Sequence, residues 1–249
     1  MQTLIAGNWK MNGLSSQLGE IEAIAASVKV TPPLADILIC PPFTLIAQAA
    51  KRAAGHIAIG GQECHKEAAG AFTGGISAEM LKDAGASAVI VGHSERRQHY
   101  CDTDPMVAAK AKAAGQAGLL AIICIGETEP QRRNGKALSV CSDQIAGSVP
   151  EGMVSAANAI AYEPLWAIGT EDAATPEEIA EMLTHIRQCL VGRFGAKGNT
   201  VRILYGGSVN PSNAREILTL PEVGGVLVGR SSLRAADFEA IFRAASLKA

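Results

Sequence analysis

Residues 119–126 read Leu-Leu-Ala-Ile-Ile-Cys-Ile-Gly. A strand with one face in water alternates apolar and polar side chains, and this run does not alternate. It reads as a strand buried on both faces, the kind found in parallel sheets covered by helices. Runs of the same kind, rich in Ile, Val and Leu, recur at 3–8, 36–40, 57–61, 87–92, 159–163, 201–206 and 225–229. Amphipathic segments lie between them. Residues 15–28 place Leu18, Ile21, Ile24, Ala25 and Val28 on one helical stripe. Residues 175–190 open as Thr-Pro-Glu-Glu, so Thr175 can cap the helix, Pro176 fits its first position and Glu178 completes a capping box. The stripe of that helix is Ile179, Met182, Leu183, Ile186 and Leu190, and residues 236–245 carry Phe238, Ile241 and Phe242.

About eight strand–helix units in 249 residues match a (β/α)₈ barrel. No composition shift or Pro/Gly/Ser linker divides residues 1–249, so a single catalytic domain is expected. The runner-up is a doubly wound open sheet, which usually announces itself with G-x-G-x-x-G after the first strand. Here the first run ends in Gly7-Asn8-Trp9-Lys10 instead.

Hydrophobic residues make up 48% and charged residues 18%, the balance of a globular chain rather than a disordered one. The net charge of −2 comes without any run of like charges. A nucleic-acid partner or an anionic membrane surface would usually leave a basic patch, so neither is expected. The apolar runs are too short to cross a membrane. The first residues, MQTLIAGNWK, lack the basic and apolar regions of a signal peptide. The six cysteines form no C-x-x-C pair, and the adjacent Cys64 and His65 have no second pair to complete a zinc site. The expectation is an intracellular, cytoplasmic protein with free thiols and no metal.

In such a barrel the chemistry lies at the carboxyl ends of the strands. The first run is followed there by Asn8 and Lys10, the fourth by His93, Ser94 and Glu95, and the sixth ends in Glu163. Glycine-rich turns close the seventh, Gly206-Gly207-Ser208, and the eighth, Gly229-Arg230. An amide, an ammonium, an imidazole and a carboxylate thus converge on one mouth. Removing a proton beside a carbonyl needs a base, and it needs donors aimed at the oxygen that becomes negative. Glu163 can be the base, and His93, Asn8 and Lys10 can supply the donors.

Four segments carry a closer resemblance: Asn8-Trp9-Lys10-Met11-Asn12, Gly92-His93-Ser94-Glu95-Arg96-Arg97, Ala161-Tyr162-Glu163-Pro164-Leu165-Trp166-Ala167-Ile168-Gly169-Thr170 and Tyr205-Gly206-Gly207-Ser208. In order and spacing they resemble the signature segments of the triosephosphate isomerase family, across essentially the whole chain. The resemblance implies a TIM barrel in which Glu163 shuttles a proton between C1 and C2 of a phosphorylated triose. It implies His93 as the electrophile, Lys10 as the electrostatic anchor, Asn8 as a positioner of substrate oxygens and Glu95 as the support of Lys10 or a neighbour. Residues 164–170 resemble the closing lid, with Trp166 in it. Gly169, Ser208, Gly229 and Arg230 are the expected phosphate donors through their backbone N–H groups. No cofactor or metal is implied.

Residues 62–77 form a long segment without strand or helix periodicity, and Gly70-Ala71-Phe72-Thr73-Gly74 resembles the family's interdigitating dimer loop. A homodimer is therefore expected, with Thr73 near the partner's active site. Two positions depart from the common family pattern. Arg230 stands where a second glycine is frequent, and Gly75 stands where many relatives have a glutamate that pairs across the interface. His56, His65, His99 and His185 read as surface or interface groups, Cys124 as a packed thiol, and Arg132 and Arg133 as a solvated helix face. The competing functions are an epimerase-like or Schiff-base barrel acting on another sugar phosphate, and a non-catalytic phosphate-binding barrel.

Overall fold

The computed structural model describes residues 2–151, 158–168 and 174–245. Eight strands form one closed, wholly parallel barrel in sequence order: β1 Thr3–Asn8, β2 Ala35–Cys40, β3 Ala58–Gly61, β4 Ala88–Val91, β5 Leu120–Ile125, β6 Ala159–Tyr162, β7 Arg202–Tyr205 and β8 Gly225–Val228. β8 returns to β1, with Leu4 beside Gly225 and Gly7 beside Val228, so no strand edge is left open.

The absence of alternation in 119–126 has its reason here. Ile122 and Cys124 of β5 point into the barrel, where they join Leu38, Cys40, Ile90 and Leu204 in one core. Ala121, Ile123 and Ile125 point outward, into a second core between sheet and helices. Both faces are dry, so both sets of positions are apolar.

The helices among the described residues are α1 Leu18–Val30, α2 Ile46–Ala53, α3 Ala78–Asp83, α4 Ser94–His99, α5 Asp104–Gln116, α6 Glu129–Arg133, α7 Ala137–Ser148, α8 Pro176–Phe194, α9 Ala214–Thr219 and α10 Ala235–Ala244. The expected stripe of α8 is buried, and its capping box forms, with Thr175 Oγ1 accepting from Glu178 N at 3.2 Å and Glu178 Oε2 accepting from Thr175 N at 2.9 Å. The first expected helix begins differently: Ser15–Gln17 is a 3₁₀ turn and α1 starts only at Leu18. Strands β4 and β5 are each followed by two helices rather than one, and the first of each pair, α4 and α6, is a short helix beside the site. No helix among the described residues is long and apolar enough to cross a membrane.

The 62–77 segment is ordered on itself. His65 N donates to Ile76 O at 2.7 Å, and the Phe72 ring lies on the His65 ring at 4.1 Å between centroids. At its base, Lys110 bridges Glu63 and Asp102 at 2.7 Å each, in a network that also holds Arg96.

Candidate active site

A cavity of about 540 Å³ opens at the carboxyl ends of the strands, lined by Asn8, Lys10, His93, Glu163, the 206–210 turn and the 229–231 turn. The expected groups therefore meet. A second cavity of about 380 Å³, at the amino ends of the strands around Asp36, His56 and Arg202, holds no comparable acid–base pair.

Glu163 follows β6, where the strand leaves the barrel. Its side chain is 2% exposed. Oε1 lies 2.8 Å from His93 Nε2, and Oε2 accepts from Ser94 N at 3.0 Å. Burial alone would raise the carboxyl pKa. The imidazole, the Ser94 N–H and the nearby Lys10 ammonium outweigh it and hold the carboxyl below its ordinary value. Two glycines make room for it. A Cβ at Gly206 would lie 2.9 Å from Glu163 Cγ, and one at Gly126 would lie 1.9 Å from the Glu163 carbonyl oxygen.

His93 ends the β4 connection and caps α4, its Nδ1 accepting from Glu95 N at 3.2 Å. Burial disfavours the imidazolium, and the Glu163 carboxylate more than offsets this and raises the pKa. The Glu95 N–H works in the opposite sense, because a protonated Nδ1 would face a donor. With Nδ1 accepting, the neutral ring carries its proton on Nε2, directed at Glu163.

Lys10 has a backbone φ of 53°, in the left-handed region that a residue with a Cβ rarely enters. Three contacts hold it there: Lys10 N donates to Asn8 Oδ1 at 3.0 Å, Gln62 Nε2 donates to Lys10 O at 2.9 Å, and Lys10 Nζ lies 2.6 Å from Glu95 Oε1. Glu95 touches Lys10 and does not line the cavity. Because Asn8 Oδ1 is occupied, its Nδ2 is the group left to face a ligand.

Of the expected phosphate donors, Gly169 lies outside the described residues, as does Thr170 of the lid. Ser208 lines the cavity, but its N–H and its hydroxyl both donate to Ala167 O at 3.0 Å, tying the turn to the segment that follows Glu163. Gly229 and Arg230 line the mouth.

Sequence reasoning missed Glu127. This wholly buried carboxylate accepts from Tyr162 OH at 3.1 Å and from Trp166 Nε1 at 2.9 Å. Trp166, expected in the lid, is packed and hydrogen-bonded here. Arg132 is not a solvated side chain as expected: it is four-fifths buried, ion-paired to Glu178 at 3.0 Å, and stacked over Trp166. The Trp166 ring carries a flat cation over one face, a pairing that a residue pattern does not reveal. Arg133 is exposed. Arg97 was also unforeseen in its role: it bonds the carbonyls of Gly92 and Cys124, fastening the ends of β4 and β5 together. Cys124 is buried beneath Glu163, and burial drives its thiol pKa well upward, so it stays neutral.

A parallel barrel with a buried carboxylate–imidazole pair and a lysine at its carboxyl mouth is the plan of an isomerase that moves protons on a small anionic substrate. Residues 3–245 match the triosephosphate isomerase family. The triosephosphate isomerase of Hyphomonas neptunium is 57% identical over 246 residues, covering 98% of this chain and 99% of the relative. That of Rhodopseudomonas palustris is 52% identical, covering 97% and 96%. The crystal structure of the Bartonella henselae enzyme superposes with a TM-score of 0.91 at 47% identity, over 98% of this chain and 99% of that one. The chain belongs to the triosephosphate isomerase family, and it is an isomerase.

Proposed function

We propose that the chain interconverts glyceraldehyde 3-phosphate and dihydroxyacetone phosphate through a cis-enediolate, as one catalytic domain spanning residues 1–249. The observation that carries the residue assignment is the 2.8 Å contact of Glu163 with His93 on the floor of the large cavity. Glu163 takes the proton from one carbon and returns it to the next. His93 donates from Nε2 to the substrate oxygens, and the family is itself the type case of a carboxylate base paired with a neutral imidazole. Lys10 and Asn8 add donors where the enediolate charge develops. A positioned base contributes about 10²–10⁴-fold, so these donors supply much of the remainder.

The backbone N–H groups at Gly169, Ser208, Gly229 and Arg230 receive the phosphate. For Ser208 this requires release from Ala167 O, which couples phosphate binding to movement of the 164–170 lid. The mechanism uses no metal and no cofactor. A homodimer through residues 62–77, with Thr73 reaching the partner's site, and a cytoplasmic location complete the reading. Its support is the exposed, His65-stacked Phe72 and the free thiols.

The test is conversion of glyceraldehyde 3-phosphate in a coupled assay with EDTA present. Fast turnover that disappears in Glu163→Gln supports the reaction, the base and metal independence together. Near-normal turnover of Glu163→Gln removes Glu163 as the base. Inhibition by EDTA reopens the epimerase reading, and a folded, inactive wild type reopens the binding-barrel one.

A further inference from the structure

Gly126 lies just beyond β5, where the neighbouring strand β4 has already ended. The last pair between them is Val91 with Ile123. On the other side the chain still pairs: Ile125 O accepts from Glu163 N at 2.7 Å, and Glu127 O accepts from Leu165 N at 3.1 Å. In a parallel ladder the residue between such contacts turns its N–H and C=O toward the opposite neighbour. At Gly126 that neighbour is missing, and Gln144 of α7 takes its place. Gln144 Oε1 accepts from Gly126 N at 2.7 Å, and Nε2 donates to Gly126 O at 3.1 Å. A side-chain amide stands in for a strand peptide. Gly126 is buried, so both groups need such a partner.

We propose that Gln144 is a positioning residue for the isomerisation, acting through Gly126 on the base Glu163 and on the lid anchor Glu127. The proposal rests on the reading of Glu163 as the base. Gly126 packs directly on the Glu163 backbone, since even a Cβ there would lie 1.9 Å from the Glu163 carbonyl oxygen. The next residue is Glu127, which holds Trp166. Packing behind this segment is incomplete. A cavity of about 180 Å³ borders Gly126, Gln144, Ser94 and Glu163. The amide is therefore the restraint on that side, and Gln144 itself does not line the substrate cavity. Misplacing a reacting group by about 1 Å can cost about a hundredfold in rate. A fault at Gln144 thus falls first on Glu163 and so on the chemical step, because Gln144 touches neither of the phosphate turns.

Gln144→Met keeps the length of the side chain and loses both hydrogen bonds. The expected result is a kcat lower by about ten- to a hundredfold with KM within about threefold of wild type. Gln144→Glu supplies the second measurement. Its carboxylate can accept from Gly126 N but repels Gly126 O, whereas its protonated form can donate to that oxygen and restore the pair. The ratio of its kcat to that of wild type should rise as pH is lowered, while the same ratio for Gln144→Met stays flat. A folded Gln144→Met enzyme with kcat within about twofold of wild type overturns the proposal, and so does a pH-independent ratio for Gln144→Glu. Should the glutamate variant not fold, the split between kcat and KM in Gln144→Met decides alone. Turnover surviving Glu163→Gln would remove the base itself. Turnover surviving Gln144→Met, in an enzyme silenced by Glu163→Gln, would remove only the support.

Discussion

Lys10 holds its ammonium 2.6 Å from Glu95 Oε1 while its own backbone sits in the left-handed region, at φ 53°. A Cβ in that region costs about 1–2 kcal/mol, offset here by the Asn8, Gln62 and Glu95 contacts. Charge and strain can be separated by two substitutions. Lys10→Ala removes the ammonium and keeps the Cβ, whereas Lys10→Gly removes both. Each should raise KM and lower kcat, because the charge is proposed to serve the bound substrate and the developing enediolate alike. In urea denaturation Lys10→Gly should be the more stable of the two by about 1 kcal/mol. Equal stability, or the reverse order, would refute the strain argument.

The Glu163–His93 pair makes a prediction with a definite sign. Burial raises the Glu163 pKa, and the imidazole is the first of the groups that bring it below the ordinary value. Replacing the imidazole by an apolar side chain, His93→Leu, leaves the burial and removes that counterweight. The carboxyl pKa should then rise. A carboxylate with a depressed folded pKa stabilises the protein above its unfolded value, near 4.5, and that increment is lost as pH falls through the folded value. The variant should lose its share at higher pH than wild type. Carbon-13 NMR of the carboxyl, assigned with Glu163→Gln, measures the shift directly. A lower pKa in His93→Leu would contradict the proposed balance.

The groups proposed to meet the substrate were readable from the sequence because each lies at the end of an apolar strand. Asn8, His93 and Glu163 sit at strand ends, and the barrel brings all strand ends to one mouth. The supporting groups were not readable. Gln62 reaches a carbonyl 52 positions away, and Trp166 donates to Glu127 across 39. Nothing in local periodicity marks either pairing. The short α4 and α6 have too few turns to display a stripe, while α8, with 19 residues and a capping box, was legible at its start, though it runs past the expected end at Leu190 to Phe194. Ser208 was readable as a member of the expected phosphate turn, yet its bond to Ala167 depends on the 3₁₀ turn that follows another strand.

Phe72 is 45% exposed at the tip of its loop, with one face covered by His65. An aromatic ring so placed and left in water is unfavourable, and a second copy of the chain is the proposed cover. Phe72→Asp should therefore sediment as a monomer at micromolar concentration. It should also lose at least about tenfold in kcat, because the proposed reach of Thr73 into a partner's site is then lost. Gly75→Glu should leave the dimer intact, with a small adjustment, since a Cβ there lies 3.0 Å from Phe72 O. A Phe72→Asp dimer with full turnover would sink the assignment of this loop.

Arg230 lies at the proposed phosphate mouth, where the family resemblance leads one to expect glycine, and its position decides what that difference does. The residue is exposed and lines the cavity, and it is not among the positive-φ residues, so its N–H can face a ligand without glycine's freedom. Among the described residues its guanidinium has no carboxylate within ion-pair distance. If the backbone N–H is the working donor, Arg230→Gly keeps that donor, and KM should change by no more than about threefold. The lost charge is solvent-exposed and screened over about 8 Å at physiological salt, so the small change should be largest at low ionic strength. Steady-state kinetics at two salt concentrations measure both. A kcat loss beyond about a hundredfold would instead mean that the guanidinium reaches the reacting substrate, since a mouth charge acting at a distance affects capture rather than the chemical step.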